Sequence, residues 1–327
     1  MSSLIDVRSA DPGEDLFRRG LSDGLPVEIP TPDRVAAYVA AAGLDAGEVI
    51  AHVPPAFSPA TVERVAANAI MAGCPAEVMP VVLAAVRAIC RPEFNLFGVR
   101  TSNHPATPLL VIGGPIVERA GFNAGTNLFG PASRANATTG RALNLVIQNI
   151  GGATLQLIDQ STMGHPGRYT FCIAEDPQSP WAPLHCAVGG LAPESSAVTV
   201  FAGDAPIAVA DYASLEPEEL IDTFAYHVAY VWQNPFHVMS EVLLVINPAH
   251  ARVLTKAGED RVEVLRRITA SARSRTGPLA LDGIGHDYES GVHLMCAGGP
   301  WGQYSALVNG WVGPREGSTM VTEEVQS

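Results

Sequence analysis

The chain is almost without lysine. Lys256 is the single lysine among 20 basic residues, and the rest are arginine. A phosphate loop built on its conserved-type lysine is therefore excluded, and Schiff-base chemistry would have to use Lys256. That residue sits in Val253-Leu-Thr-Lys-Ala-Gly258, which reads as a helix end, where a cation is expected in any case. Charge of either sign is scarce: 16% of residues, against about a quarter in ordinary domains. The balance is acidic, with a net charge of −13, which opposes nucleic-acid binding because phosphate recognition needs Lys and Arg. The five cysteines, Cys74, Cys90, Cys172, Cys186 and Cys296, are odd in number and form no Cys-x-x-Cys pair. Neither a disulfide framework nor a structural zinc site is indicated. No apolar run approaches the roughly 18 residues of a membrane helix. Met1 to Arg19 is mixed and charged, unlike a secretory leader, so a cytoplasmic protein with no membrane partner is expected.

Motifs for metals and cofactors are also missing. There is no His-Glu-x-x-His and no EF-hand loop. His293 and Cys296 fall on opposite faces of a strand, as do the adjacent His185 and Cys186. The glycine turns near 113 and 298 lack the dinucleotide fingerprint. The expectation is no metal and no cofactor.

What is present is apolar. Hydrophobic residues make up 47% of 327 residues, enough for one large or two ordinary domains. With so little charge, much of the surface is uncharged, which suits a buried subunit contact and a homo-oligomer. Residues 1–20 read as an arm, 21–210 as an α/β unit carrying polar loops, and 211–327 as a C-terminal α/β part packed on it or separate from it. Helices are expected at 33–42, ending at Gly43, and from Ser58 as N-cap with Pro59 in the first turn. Further helices are expected at 76–90, 132–150, 217–232, 248–257 and 260–271. Strands are expected at 48–53, 109–113, 169–174, 198–202, 241–247 and 292–297. This alternation, with continuously apolar strands, predicts an α/β class: a mainly parallel or mixed sheet, or sheets, covered by helices. Strand–Gly-Gly-Pro occurs at 109–115 and again at 293–300. It is either a trace of two related halves or simple punctuation of strand ends.

Polar chemistry is concentrated in two stretches, Asn123–Arg141 and Gly164–Glu175. Gly130-Pro-Ala-Ser133 has helix-start character, and free N–H groups there attract anions. Arg134, Thr138 and Arg141 recur on one helix face. Asn136 falls in the first turn, and Asn123 and Asn127 in the preceding loop. These groups suit a carboxylate, carbonyl or phosphate, or else they brace a long loop. His104 before Pro105, and His165 in Gly164-His-Pro-Gly167, sit in locked turns and are candidate acid–base groups. Cys74, expected at a helix start that would favour its thiolate, is a candidate nucleophile. Cys172, in a strand beside the His165–Arg168 turn, is a second. Glu175 would orient a His or an Arg, and Arg168 and Tyr169 complete the substrate-binding set.

Several segments resemble a known group. Asp23-Gly-Leu-Pro, Met71-Ala-Gly-Cys-Pro75, Arg134-Ala-Asn-Ala-Thr-Thr-Gly-Arg141 and Gly164-His-Pro-Gly-Arg-Tyr-Thr-Phe-Cys-Ile-Ala-Glu175 resemble a bacterial family related to the selenoprotein-like UGSC-type proteins. Asn247–Gly258 and Ala297-Gly-Gly-Pro-Trp-Gly-Gln-Tyr-Ser305 are similar to it as well. The likeness spans most of the chain after residue 20, and it implies that Arg134, Asn136, Arg141, His165 and Cys172 belong to one site. The motif that names the group, selenocysteine-Gly-Ser-Cys, has no counterpart here, not even with cysteine in the first place.

The reading that results is an enzyme acting on a small anionic or carbonyl-containing molecule by hydrolase- or lyase-type chemistry. Arg and Asn would stabilise developing negative charge, and His would move the proton. The alternatives are a thiol-dependent redox enzyme and a non-catalytic small-molecule-binding protein.

Overall fold

A computed structural model describes residues 10–131, 133–154, 157–233, 240–256, 258–276, 291–311 and 317–326. Residues 1–9 of the expected arm, together with Ala132 and Ala257, lie outside them. The rest of the arm holds a helix, α1 (Pro12–Arg18), and α2 (Pro32–Ala42) ends on Gly43 in the left-handed conformation. A hairpin of β1 (Val49–Val53) and β2 (Ser58–Thr61) follows, and then α3 (Val62–Ala72). The helix start expected at Ser58 is displaced to Thr61. Residues 58–61 pair with β1, and it is the Thr61 hydroxyl that accepts the capping bond, from Arg64 N–H at 3.3 Å. Then come α4 (Met79–Ile89), with Pro80 in its first turn where no N–H is needed, and α5 (Leu96–Thr101).

From here the chain runs β3 (Thr107–Gly113), α6 (Ile116–Arg119), α7 (Arg134–Asn149), β4 (Cys172–Ala174), α8 (Leu184–Gly189), β5 (Ala197–Gly203) and β6 (Ile207–Ala210). It then runs α9 (Pro217–Trp232), β7 (Val242–Ile246), α10 (Pro248–Leu254), α11 (Arg261–Arg275), β8 (Val292–Cys296), β9 (Tyr304–Asn309) and β10 (Val321–Glu324). The fold is α/β, with mixed sheets flanked by helices.

The two four-stranded sheets have one topology. In the first, β3 pairs parallel with β4 and antiparallel with β5; in the second, β7 pairs parallel with β8 and antiparallel with β9. The fourth strands are exchanged. β6, which follows β5, pairs with β9, and β10, which follows β9, pairs with β5. The central strands carry the same tetrapeptide, Leu109-Leu-Val-Ile112 and Leu243-Leu-Val-Ile246. Leu110 pairs with Cys172 and Val200; Leu244 pairs with Leu294 and Leu307 in the same register. The sheets meet at a bridge between Gly203 and Gly310, flanked by reciprocal bonds from Asp204 N–H to the Asn309 carbonyl and from Trp311 N–H to the Ala202 carbonyl. The Gly-Gly-Pro sequences do not mark equivalent positions: one ends the central strand β3, the other follows the edge strand β8.

Strand alternation assigns each residue to a layer. Leu110, Ile112, Val198 and Val200 face α3, α4 and α7, and Leu244, Ile246, Leu294 and Leu307 face α9, α10 and α11. Leu109, Val111, Phe201, Leu243, Val245 and Val308 interdigitate between the sheets. The result is four layers, helix–sheet–sheet–helix, in which the central strands are buried on both faces. That is why they read as unbroken apolar runs. No helix among the described residues is long and apolar enough to cross a membrane.

Candidate functional site

Where α7 crosses the start of β4 the backbones nearly touch. A Cβ at Gly140 would lie 2.5 Å from Thr170 Oγ1 and 2.7 Å from Phe171 N. This close approach seats the 164–172 turn against the helix. The turn is fixed from within, since His165 caps its short helical turn by accepting from Gly167 N–H at Nδ1, 3.2 Å away. Three cavities open around it, of about 550, 530 and 490 Å³, and His165 is the one described residue that lines all three. Burial lowers the His165 pKa, the neighbouring Arg168 charge lowers it further, and the Gly203 backbone opposes them. The ring is therefore neutral at neutral pH. With Nδ1 accepting, the proton sits on Nε2, which is buried, with the Gly203 backbone beside the ring.

The largest cavity has a charged wall. Arg100 and Arg168 both donate to Oδ2 of Asp159, Arg100 at 3.2 Å. Arg168 also holds the carbonyls of Pro105 and Ala106, each at 3.1 Å. Arg100 donates as well to Asn144, and its Nε has no partner. Full burial, with the Arg168 charge beside it, pulls the Arg100 pKa down to about 10 despite Asp159. Asp23, also in this wall, is balanced by Arg141, which binds it through two bonds of 2.8 Å. Summed over these groups, two guanidiniums share one carboxylate, which leaves one uncompensated positive charge in a mostly buried wall. Such a charge is costly unless water or an anion answers it.

The second cavity adjoins the bridge between the sheets. Asp204, in the turn after β5, lies in its wall with Asn309. His104 Nδ1 is 3.4 Å from Asp204 Oδ1. Burial pushes the Asp204 carboxyl up to about 6, with the Asn309 amide opposing. The third cavity is largely apolar, walled by Phe129, Pro131, Phe171 and Pro206, with Cys172 and Asn136 also in it.

The expected residues therefore divide. His165, Cys172 and Asn136 share the third cavity; His165, Arg168 and Tyr169 share the first; His104 faces Asp204 at the second. The others lie apart from this junction. Asn136 serves as a clasp, accepting from Asn123 N–H at 2.7 Å and donating to the carbonyls of Asn123 and Cys172. Asn123 spans its own loop to Thr126 and Gly125, and Asn127 sits at a positive φ of 61° with its carbonyl bonded to Gly130. Arg134 is exposed and donates to the Gly73 carbonyl, and Thr138 donates back to the Arg134 carbonyl. Arg141 is held by Asp23, so the two arginines of that helix face each have a protein partner.

Cys74 does not have the activated thiol expected of it. It lies between the end of α3 and a short 3₁₀ turn, fully buried, with its Sγ donating to the Thr138 carbonyl at 3.2 Å. Burial pushes its pKa up to about 12, and burial raises that of Cys172 as well. At Cys74 loss of water outweighs any helix-terminus effect. Glu175 follows β4 at the end of the strand away from the His165 turn. It accepts from Leu184 N–H at 2.6 Å and pairs with Arg261 at 3.5 Å, and burial lifts its pKa to about 7. Among the described residues no group of three or more His, Cys, Asp or Glu side chains is arranged to hold a metal ion.

Arg100, Asp159 and Asp204 are the functional candidates that sequence reasoning passed over. Arg100 lies in the last turn of α5, a short helix outside the expected set. Asp159 lies in a loop with no pattern of its own. Asp204, in Gly203-Asp-Ala-Pro206, reads as an ordinary turn residue. Comparison of the chain with protein-family models, curated proteins and solved structures finds no match.

Proposed function

We propose that the protein is an enzyme acting on a small carboxylate-bearing molecule by hydrolase- or lyase-type chemistry. One observation carries this reading: the excess positive charge of Arg100 and Arg168 over Asp159 in the wall of the 550 Å³ cavity. A carboxylate entering there completes the charge balance, which neutral ligands cannot do. His165, which lines all three cavities, is the acid–base group of this reading. A neutral imidazole held in one tautomer is suited to that role. The buried thiols favour neither a covalent nor a redox mechanism.

Thermal unfolding with small carboxylates, amides and phosphates, on the protein and on Arg168→Met, tests the binding. Carboxylates should raise the midpoint by a few degrees in the first and leave the second unmoved. Mass spectrometry of a ligand carried through purification would supply the substrate for turnover assays, in which His165→Phe should lose activity while still binding. If no carboxylate shifts the midpoint, the reading fails.

A further inference from the structure

The polar lining of the largest cavity continues beyond its cationic wall, along α7. Asn144 and Gln148 of that helix both line the cavity, with Asp23. Asn144 is spent at both ends: its carbonyl oxygen takes the Arg100 guanidinium, and its NH₂ goes to the Gly140 carbonyl at 3.3 Å. Gln148 follows one turn later, about 6 Å along the helix axis. Its NH₂ donates to the carbonyls of Gly20 at 2.9 Å and Ser22 at 3.3 Å. Two carbonyls there fix which end of the amide is nitrogen, so the group it has left to offer is an acceptor. Gln148 is half-buried, and its Oε1 accepts from no described residue while keeping accessible surface. Asp23 adjoins Ser22, and its charge is answered by Arg141 through two bonds of 2.8 Å. The cavity therefore has a cationic end at Arg100 and Arg168, and an accepting end with no net charge at Gln148 and Asp23. Ile147, Ala153 and Pro166 supply apolar wall.

We propose that the ligand is a monocarboxylate that carries an uncharged hydrogen-bond donor, an amide N–H or a hydroxyl, with its carboxylate toward Arg168 and its donor on Gln148 Oε1. This rests on the carboxylate reading above and adds a second polar contact to it. A simple fatty acid would leave the Gln148 oxygen without a donor. A second carboxylate would lose its water against an amide oxygen and beside Asp23. An ammonium would do so where Arg141 already balances the one acid.

The test is isothermal titration of the full chain with two series of acids. The first is acetamidoacetate, 3-acetamidopropanoate and 4-acetamidobutanoate, each against its N-methyl analogue. The second is 3-hydroxypropanoate and 4-hydroxybutanoate, each against its methyl ether. At least one acid should bind at least tenfold more tightly than its capped analogue, and the series in which it falls tells amide from hydroxyl. Gln148→Met should bring that acid to the analogue's affinity and leave the analogue's affinity unchanged. Capped and uncapped acids binding alike in both series, or equal weakening of a pair by Gln148→Met, overturns this assignment while leaving the carboxylate reading intact. Binding of no acid refutes both. The comparison of ligands on the unmodified protein decides the matter even if the variant does not fold.

Discussion

Removing Asp159 should damage the protein more than removing Arg168, although the two are partners in the same ion pair. The side chains of Arg100, Arg168 and Asp159 are 5%, 14% and 4% exposed, so water screens them little. Asp159→Asn leaves two guanidiniums facing each other without a carboxylate. Breaking a buried pair from one side costs about 3–5 kcal/mol. Arg168→Met instead leaves a balanced Arg100–Asp159 pair. It loses the bonds to Pro105, Ala106 and Asp159, each worth about 1–2 kcal/mol, but relieves the repulsion that lowers the Arg100 pKa. A net cost of about 1–3 kcal/mol is expected. Urea unfolding at low ionic strength reads both. The Asn variant should also become anion-dependent: an anion at a hundred times its Kd adds about 2.7 kcal/mol. If Arg168→Met is as costly as Asp159→Asn, and acetate rescues neither, the wall carries no excess charge and the functional reading loses its foundation.

Glu175 should impose a pH slope on stability. Its folded pKa is raised to about 7 from 4.5, so the folded state holds the proton longer, and stability falls as pH rises from about 4.5 to 7 and then levels. Glu175→Gln should remove about 2–4 kcal/mol of that fall, as seen in urea midpoints between pH 5 and 8; a slope unchanged in the variant counts against a buried, proton-holding carboxyl. Cys74 and Cys172 should resist iodoacetamide at pH 8 in the native protein while Cys186 reacts, and native modification of either buried thiol, detected by mass spectrometry, would restore a thiol mechanism. Leu110→Ala and Leu244→Ala should each cost about 2–5 kcal/mol in chemical denaturation, since both are fully buried on the helix-facing side of their sheets. Self-association is expected from the charge-poor surface, with Tyr226 and Tyr230 exposed on α9 and β6 an open edge strand; light scattering that reports a monomer at micromolar concentration would count against it.

The parts of the fold legible in the sequence were those governed by local rules. α9 runs from Pro217 to Trp232 as its periodicity and early proline require, and the central strands announce themselves as apolar runs. The short strands were not legible. β6 has three exposed residues of four, and β10 is a four-residue edge whose partner lies more than a hundred positions away. Ser58 shows the same limit, since a good local cap lost to pairing with β1. At the candidate site, polar clustering located the His165 turn but could not tell clasp from catalyst. Asn136 and Arg141 carry the same chemistry whether they face a ligand or a loop, and only their partners decide. The charge imbalance at Asp159 is a three-body fact with no trace in spacing.

The matched topology of the two sheets explains why the site is one-sided. Position by position, Glu175 of the first sheet corresponds to Ala297 of the second, since each donates its N–H to the central strand, to Ile112 and Ile246 respectively. Asp204 corresponds to Trp311 across the reciprocal bridge, and Gly113 to Asn247. In the second half these places are closed. Asn247 caps α10 and ties down Gly302, while His250 and Ser305 bond each other at 2.8 Å. Trp311 packs so tightly on α5 that a Cβ at Gly98 would lie 2.6 Å from its ring. Buried polar atoms without a hydrogen bond occur in both halves, Asp204 Oδ1 and Arg100 Nε in the first and Glu259 Oε2, Arg261 Nε and His293 Nε2 in the second, so the halves differ in which equivalent positions are closed and not in how fully their polar groups are satisfied.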